Sequence, residues 1–148
     1  MKRFAFKLQT LLDHRKTIED IRLMELARLR MGEQELAARL EVLRAERDRA
    51  WQTLFDLVVR GSDVWKLERA DEHCRAVGDE VRLQEITLIA ARKRVRGKLQ
   101  EVIEASRDRK LMEQLRDQRR REYEVEAARV EQRELDDMAS IRYARDRR

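Results

Sequence analysis

Gly97-Lys98 is the one Gly-Lys pair in the chain, and it is the first place to look for phosphate chemistry. A phosphate-binding loop needs Gly-rich backbone closing on Gly-Lys followed by Ser or Thr. Here Leu99 follows, and Arg92 stands where the loop should open with glycine, so no such loop is present. His14, His73 and Cys74 are the only His and Cys side chains available to hold a metal. His73 and Cys74 are adjacent, which on a helix points them about 100° apart, whereas a chelating pair shares one face, as at i and i+4. His14 is a whole helix away from both. Each histidine therefore reads as solvated or locally satisfied. Carboxylates abound, yet on a narrow helical element they face solvent, with no pocket to desolvate them and tune their pKa. The residue types thus predict no catalytic residues, no metal site and no cofactor.

The run Arg92-Lys93-Arg94-Val95-Arg96-Gly97-Lys98 and the Arg-rich C-terminal half raise a different chemistry, the binding of nucleic acid or an anionic membrane surface. Such side chains wrap several faces of a helix, and carboxylates such as Glu113 and Asp117 fall close to arginines. Apart from Tyr123, aromatics that could stack on bases are not interleaved with the basic runs. These runs read as solvated helix faces and as candidates for an acidic protein groove, ahead of a polyanion site.

The elements that must carry these residues follow from composition. Of 148 residues, 44% are charged and 5% aromatic, with 4 glycines and no proline. Turn-forming residues are almost missing, so the chain is one of long helices. Heavy charge also suits disorder, but 42% of residues are hydrophobic and the rest are mostly Glu, Lys, Arg and Gln, good helix formers. Apolar residues must then lie in narrow seams. The net charge of +5 is the balance of 35 basic and 30 acidic side chains, which suggests interspersed ion pairs. A single cysteine fits a reducing compartment. The apolar start is cut at once by Lys7, too short for a signal peptide, and no stretch approaches the roughly 20 apolar residues of a membrane-crossing helix. The expected location is cytoplasmic.

Alternating steps of three and four from Ala5 visit Leu8, Leu12, Arg15, Glu19, Arg22, Leu26, Leu29, Glu33, Leu36, Leu40, Leu43, Arg47, Ala50, Leu54 and Leu57. That is the heptad spacing of helices wound around one another. The polar stops between Leu12 and Leu26 coincide with a row of Leu11, Ile18 and Ile21 that could take over the apolar role, a phase shift resembling a stutter. A first helix is predicted from about Phe4 to Val59, on the order of 80 Å long. Gly61-Ser62-Asp63 supplies a stop and a restart. Residues 61–78 read as a hairpin tip with a short helical piece, bounded by Gly78-Asp79. The alternative is a kinked continuation of one very long second helix. Otherwise the second helix runs from about Asp79 to Tyr143 on a seam of Val81, Glu85, Leu88, Arg92, Val95, Leu99 and Val102, broadened by Ile86, Ile89 and Ile103. Gly32 and Gly97, inside the helices, read as tolerated weak points. The predicted fold is all-α: two long helices in an antiparallel coiled-coil hairpin, one domain over residues 1–148, with both chain ends together. Apolar residues off the seam, such as Leu23, Met24, Val42, Leu83 and Leu88 or Ile89, would mark the place of a further helix.

Two stretches carry a family resemblance. Phe4-Ala5-Phe6-Lys7-Leu8-Gln9-Thr10-Leu11-Leu12-Asp13-His14-Arg15 is similar to the opening of FliJ-family proteins. Leu111-Met112-Glu113-Gln114-Leu115, then Tyr123, then Glu131-Gln132-Arg133-Glu134-Leu135-Asp136-Asp137-Met138-Ala139 resembles the family's later Glu-x-Leu segment and acidic tail, with Asp137 where Glu is commoner. The resemblance implies a non-enzymatic component of flagellar type III protein export, at the cytoplasmic side of the inner membrane. It implies a stalk in the ring of the export ATPase FliI, like the γ coiled coil of F-type ATPases. It also implies contacts with the export gate protein FlhA, export chaperones and FliH. The residues carried over as protein-binding candidates are Phe4, Phe6, Leu8, Leu12, Arg15, Glu113, Leu115, Tyr123, Glu131, Gln132, Asp136 and Tyr143. The plainer reading of Phe4 and Tyr123 is that they staple the two ends together. Competing functional readings are a stalk of a virulence-type secretion system and a basic coiled coil for nucleic acid or membranes.

Overall fold

A computed structural model describes residues 3–146. Two helices account for nearly all of it, α1 (Gln9–Val59) and α2 (Val64–Asp146). They pack antiparallel as a helical hairpin, and there is no strand among the described residues. By contact density the chain divides into one unit with residues up to Asp20 and from Ile103 onward, and another over Ile21–Val102.

The bend in the second unit is shorter than the sequence suggests. Gly61 adopts φ of 67°, the left-handed region that costs a side chain dearly. Its N–H donates to the carbonyl of Val58, and the Ser62 N–H donates to that of Leu57, both at 3.1 Å. These are the paired bonds of a Schellman helix end. The Asp63 carbonyl then accepts from Lys66 N–H and Leu67 N–H, so α2 starts at once. The separate tip over residues 61–78 gives way to the alternative of a continuous second helix. Leu67, Ala70, Cys74, Val77 and Val81 follow at steps of three and four, and all are buried or half-buried. A seam that runs unbroken through Gly78 leaves nothing for a break to relieve.

The core of this unit is Leu40 and Leu43 of α1 against Val81 and Leu88 of α2, with Leu36 and Ala37 beside them. The predicted α1 seam is the buried face, but α2 departs from expectation at alternate stops. Gln84, Ala91 and Lys98 are half-buried, while Arg92 and Leu99 fall outside, and Ile86 and Ile89 are exposed and do not broaden the seam. Counting on from Cys74, Val77 and Val81 in heptads lands on these positions. The polar ones are satisfied: Gln84 Nε2 donates to the Leu36 carbonyl at 3.0 Å, and Lys98 Nζ lies 2.9 Å from both Glu25 and Glu101. Glu85 and Arg92 pair across the flanks with Arg44 and Glu33. Of the off-seam candidates Leu23, Met24, Val42 and Leu83 are exposed, and of the pair Leu88 or Ile89 it is Ile89 that is exposed, Leu88 being buried on the predicted seam.

The other unit begins differently from the prediction of a helix from Phe4. Residues 3–6 lie outside any helix and α1 starts at Gln9, whose N–H donates to the Phe6 carbonyl at 3.0 Å. Phe4 and Phe6 are half-buried while Arg3, Ala5 and Lys7 are exposed. This period-two alternation brings both rings to one side, whereas a helix would set them about 200° apart. The expected stutter is also absent. Of the row expected to take over, Ile18 is half-buried but Leu11 and Ile21 stay exposed, and Arg15 and Glu19 stay on the seam, because each finds an opposite charge on α2.

Candidate protein-docking site at the chain ends

Among the described residues of the unit that holds both ends, Leu12 is the one side chain with no exposure. The seam beyond it is ionic. Arg15 Nη1 donates to Asp108 Oδ2 at 2.9 Å, and Arg109 donates to Glu19 and also to Glu113, the latter at 2.6 Å. Lys16 approaches Glu113 at 3.8 Å. The hydrogen bond from Arg109, ahead of the opposing cost of burial, holds the Glu19 carboxyl below its ordinary range, and Glu19 in turn raises Arg109.

The non-helical start lies against α2, with the Phe4 ring centroid 5.7 Å from that of Tyr123 at 49° between planes, a tilted contact favourable to aromatic pairs. Grooves open on both sides of this clasp. One, of about 720 Å³, is lined by Arg3, Phe4, Ala5, Phe6, Lys7, Leu8, Leu115, Arg119 and Tyr123. Its walls carry three cations and no carboxylate over an apolar floor. The other, of about 580 Å³, is lined by Phe4, Phe6, Gln9, Arg116, Arg120, Tyr123 and Glu124. Such a surface offers apolar anchors and positive charge, and it suits a protein segment better than a small molecule.

The structure therefore gathers Phe4, Phe6, Leu8, Leu115 and Tyr123 in one place. Leu12, Arg15 and Glu113 lie deeper and hold the two helices together. Glu131, Gln132, Asp136 and Tyr143 are exposed on α2 beyond the clasp, with Gln132 Nε2 donating to Asp136 at 2.9 Å. Tyr143, carried over with these residues, lines neither groove, because α2 continues as helix well past Tyr123. Sequence reasoning missed the exposed row Trp51, Phe55 and Val58 near the bend, with Trp65. Its signal was present, since the first three recur at i, i+4 and i+7 just off the seam.

Residues 4–148 match the family model described as "Flagellar FliJ protein". The chain belongs to the FliJ family. No curated protein and no solved structure matches it. The family match spans the clasp, the ionic seam and the bend alike, so membership rests on the whole hairpin as well as the two end motifs. As a FliJ-family protein it is a component of the flagellar export apparatus, and no helix among its described residues is long and apolar enough to cross a membrane.

Proposed function

We propose that this FliJ-family chain is a non-enzymatic, cytoplasmic stalk and regulator of the export ATPase ring, its end-bearing unit being the part that engages the ring. The observation that carries this is the length of α2. It runs to Asp146, well past the Phe4–Tyr123 clasp, and residues 131–145 are all exposed. An exposed helical stretch of this kind draws little support from tertiary packing, and it suits insertion into the centre of a surrounding partner. The basic, aromatic-floored grooves beside it would anchor the entry. Contacts with FlhA, export chaperones and FliH belong to the same proposal, at the inner-membrane face of the export apparatus.

The alternative of a polyanion-binding coiled coil is weakened by how much of the basic surface is engaged. Arg92 pairs with Glu33, Lys98 sits in the seam, and Arg116, Arg119 and Arg120 have carboxylate neighbours.

The test is ATP turnover and ring assembly by FliI with the pure chain and with a chain ending after Val130. The full chain should raise both, and the shortened one should lose the effect while keeping its melting temperature. No effect of the full chain on either would end the proposal.

A further inference from the structure

The face of α2 that meets the amino-terminal segment does not stop at the clasp. Arg120, Tyr123, Ala127, Val130, Glu134 and Met138 follow at steps of three and four and so share one side of the helix. Tyr123, Ala127 and Val130 are half-buried, and Glu134 and Met138 are exposed. Charge along this face is segregated. On it, Arg116 and Arg120 precede Ala127, and Glu131 and Glu134 follow it.

The two stretches are mirror-placed. Arg120 lies seven residues before Ala127 and Glu134 seven residues after it. A straight helix cannot bring them together, since 14 residues span about 21 Å. A second copy running antiparallel can, and it satisfies both pairs at once by two-fold symmetry, with small Ala127 side chains at the axis where the backbones come closest. In that register Met138 of the second copy falls opposite Arg116, at the groove that Phe6 and Arg120 also line. The present partners of these arginines do not oppose the exchange. Arg120–Glu124 and Arg116–Asp117 are exposed pairs within one helix, and pairs of that kind contribute little.

We propose that two copies of this chain associate antiparallel through the face of α2 centred on Ala127, the acidic segment of each lying along the Arg116–Arg120 groove of the other. The association shields the same end that the ATPase proposal uses, yet it stands on charge pattern and helix geometry without that proposal.

Sedimentation equilibrium of the full chain at low salt should show a monomer–dimer equilibrium. Arg120→Glu and Glu134→Arg should each raise the dimer dissociation constant roughly tenfold, because symmetry doubles every lost pair and adds repulsion. The double variant should recover the original value. Ala127→Cys should cross-link two chains on mild oxidation, whereas the unaltered chain should not, its only thiol, Cys74, being buried. All three positions lie outside the intramolecular core, and unchanged helical circular dichroism checks that the variants fold. A chain that stays monomeric at every concentration, a double variant no tighter than the singles, or Ala127→Cys that fails to cross-link would each overturn the proposal.

Discussion

Lys98 occupies an inward heptad position where a leucine would be expected, and it is the least exposed lysine or arginine among the paired side chains, at 17%. Its ammonium is shared by Glu101 and Glu25, and Arg22 closes the cluster at 2.7 Å from Glu101. The bonds to Glu101 and Glu25 raise Lys98, and the bond from Lys98 lowers both carboxyls from their ordinary value of 4.5. Glu19 is lowered likewise by Arg109. Carboxyls lowered by folding add stability above 4.5, and they lose it as pH falls through their depressed folded values. Raised Lys98 adds stability below its ordinary 10.5 and loses it as pH rises through its folded value. The melting temperature followed by circular dichroism should therefore hold between these limits, falling first on the acid side below about pH 4.5. Lys98→Met should lower the melting temperature at neutral pH, because Glu25 and Glu101 are then left to share the single cation Arg22. That deficit should disappear in acid once both carboxyls are protonated. A deficit of equal size at all pH would mean that Lys98 acts through packing of its stem.

At the scale of the helices, the four glycines divide by conformation. Gly32, Gly78 and Gly97 lie inside α1 or α2 with nothing within 4 Å of an added methyl. Each alanine replacement should stabilise the chain by about 0.5–1 kcal/mol, since glycine loses more freedom on entering a helix. Gly61→Ala should act in the opposite sense, by about 1 kcal/mol or more, because its φ is positive. Urea denaturation of the four variants measures all of this. The helices are also held differently along their length. Over Ile21–Val102 the core is Leu40, Leu43, Val81 and Leu88, whereas in the unit with the chain ends Leu12 is followed by ion pairs at Arg15, Glu19 and Lys16. Salt screens partly exposed charges and strengthens apolar burial. Hydrogen exchange in 1 M NaCl, roughly a 3 Å screening length, should thus accelerate across residues 11–20 while residues 40–50 keep their protection. Uniform behaviour along α1 would contradict this division.

For the whole molecule, removal of everything after Val130 should leave the melting temperature unchanged, since residues 131–145 are exposed and make no part of either core. A large drop would mean that the distal helix supports the hairpin. Much of this organisation was legible in the chain. Absent proline, scarce glycine and the three-four spacing of leucines dictate two long helices, because helical periodicity and turn chemistry are local properties. The α1 seam could be read for the same reason, apart from the stutter expected at its polar stops, and so could the bend at Gly61-Ser62-Asp63. Tertiary packing decided the rest. Whether Lys98 or Leu99 points inward depends on Glu25 lying across from it, and whether Gly78 breaks the helix depends on a seam already fixed by Cys74 and Val77. Phe4 and Phe6 look like the first turn of a helix until Tyr123, far away in sequence, draws both rings to one side of a non-helical segment. Local sequence sets which residues can be helical, but facing surfaces choose the register, since only there do an opposite charge and a matching apolar side chain meet.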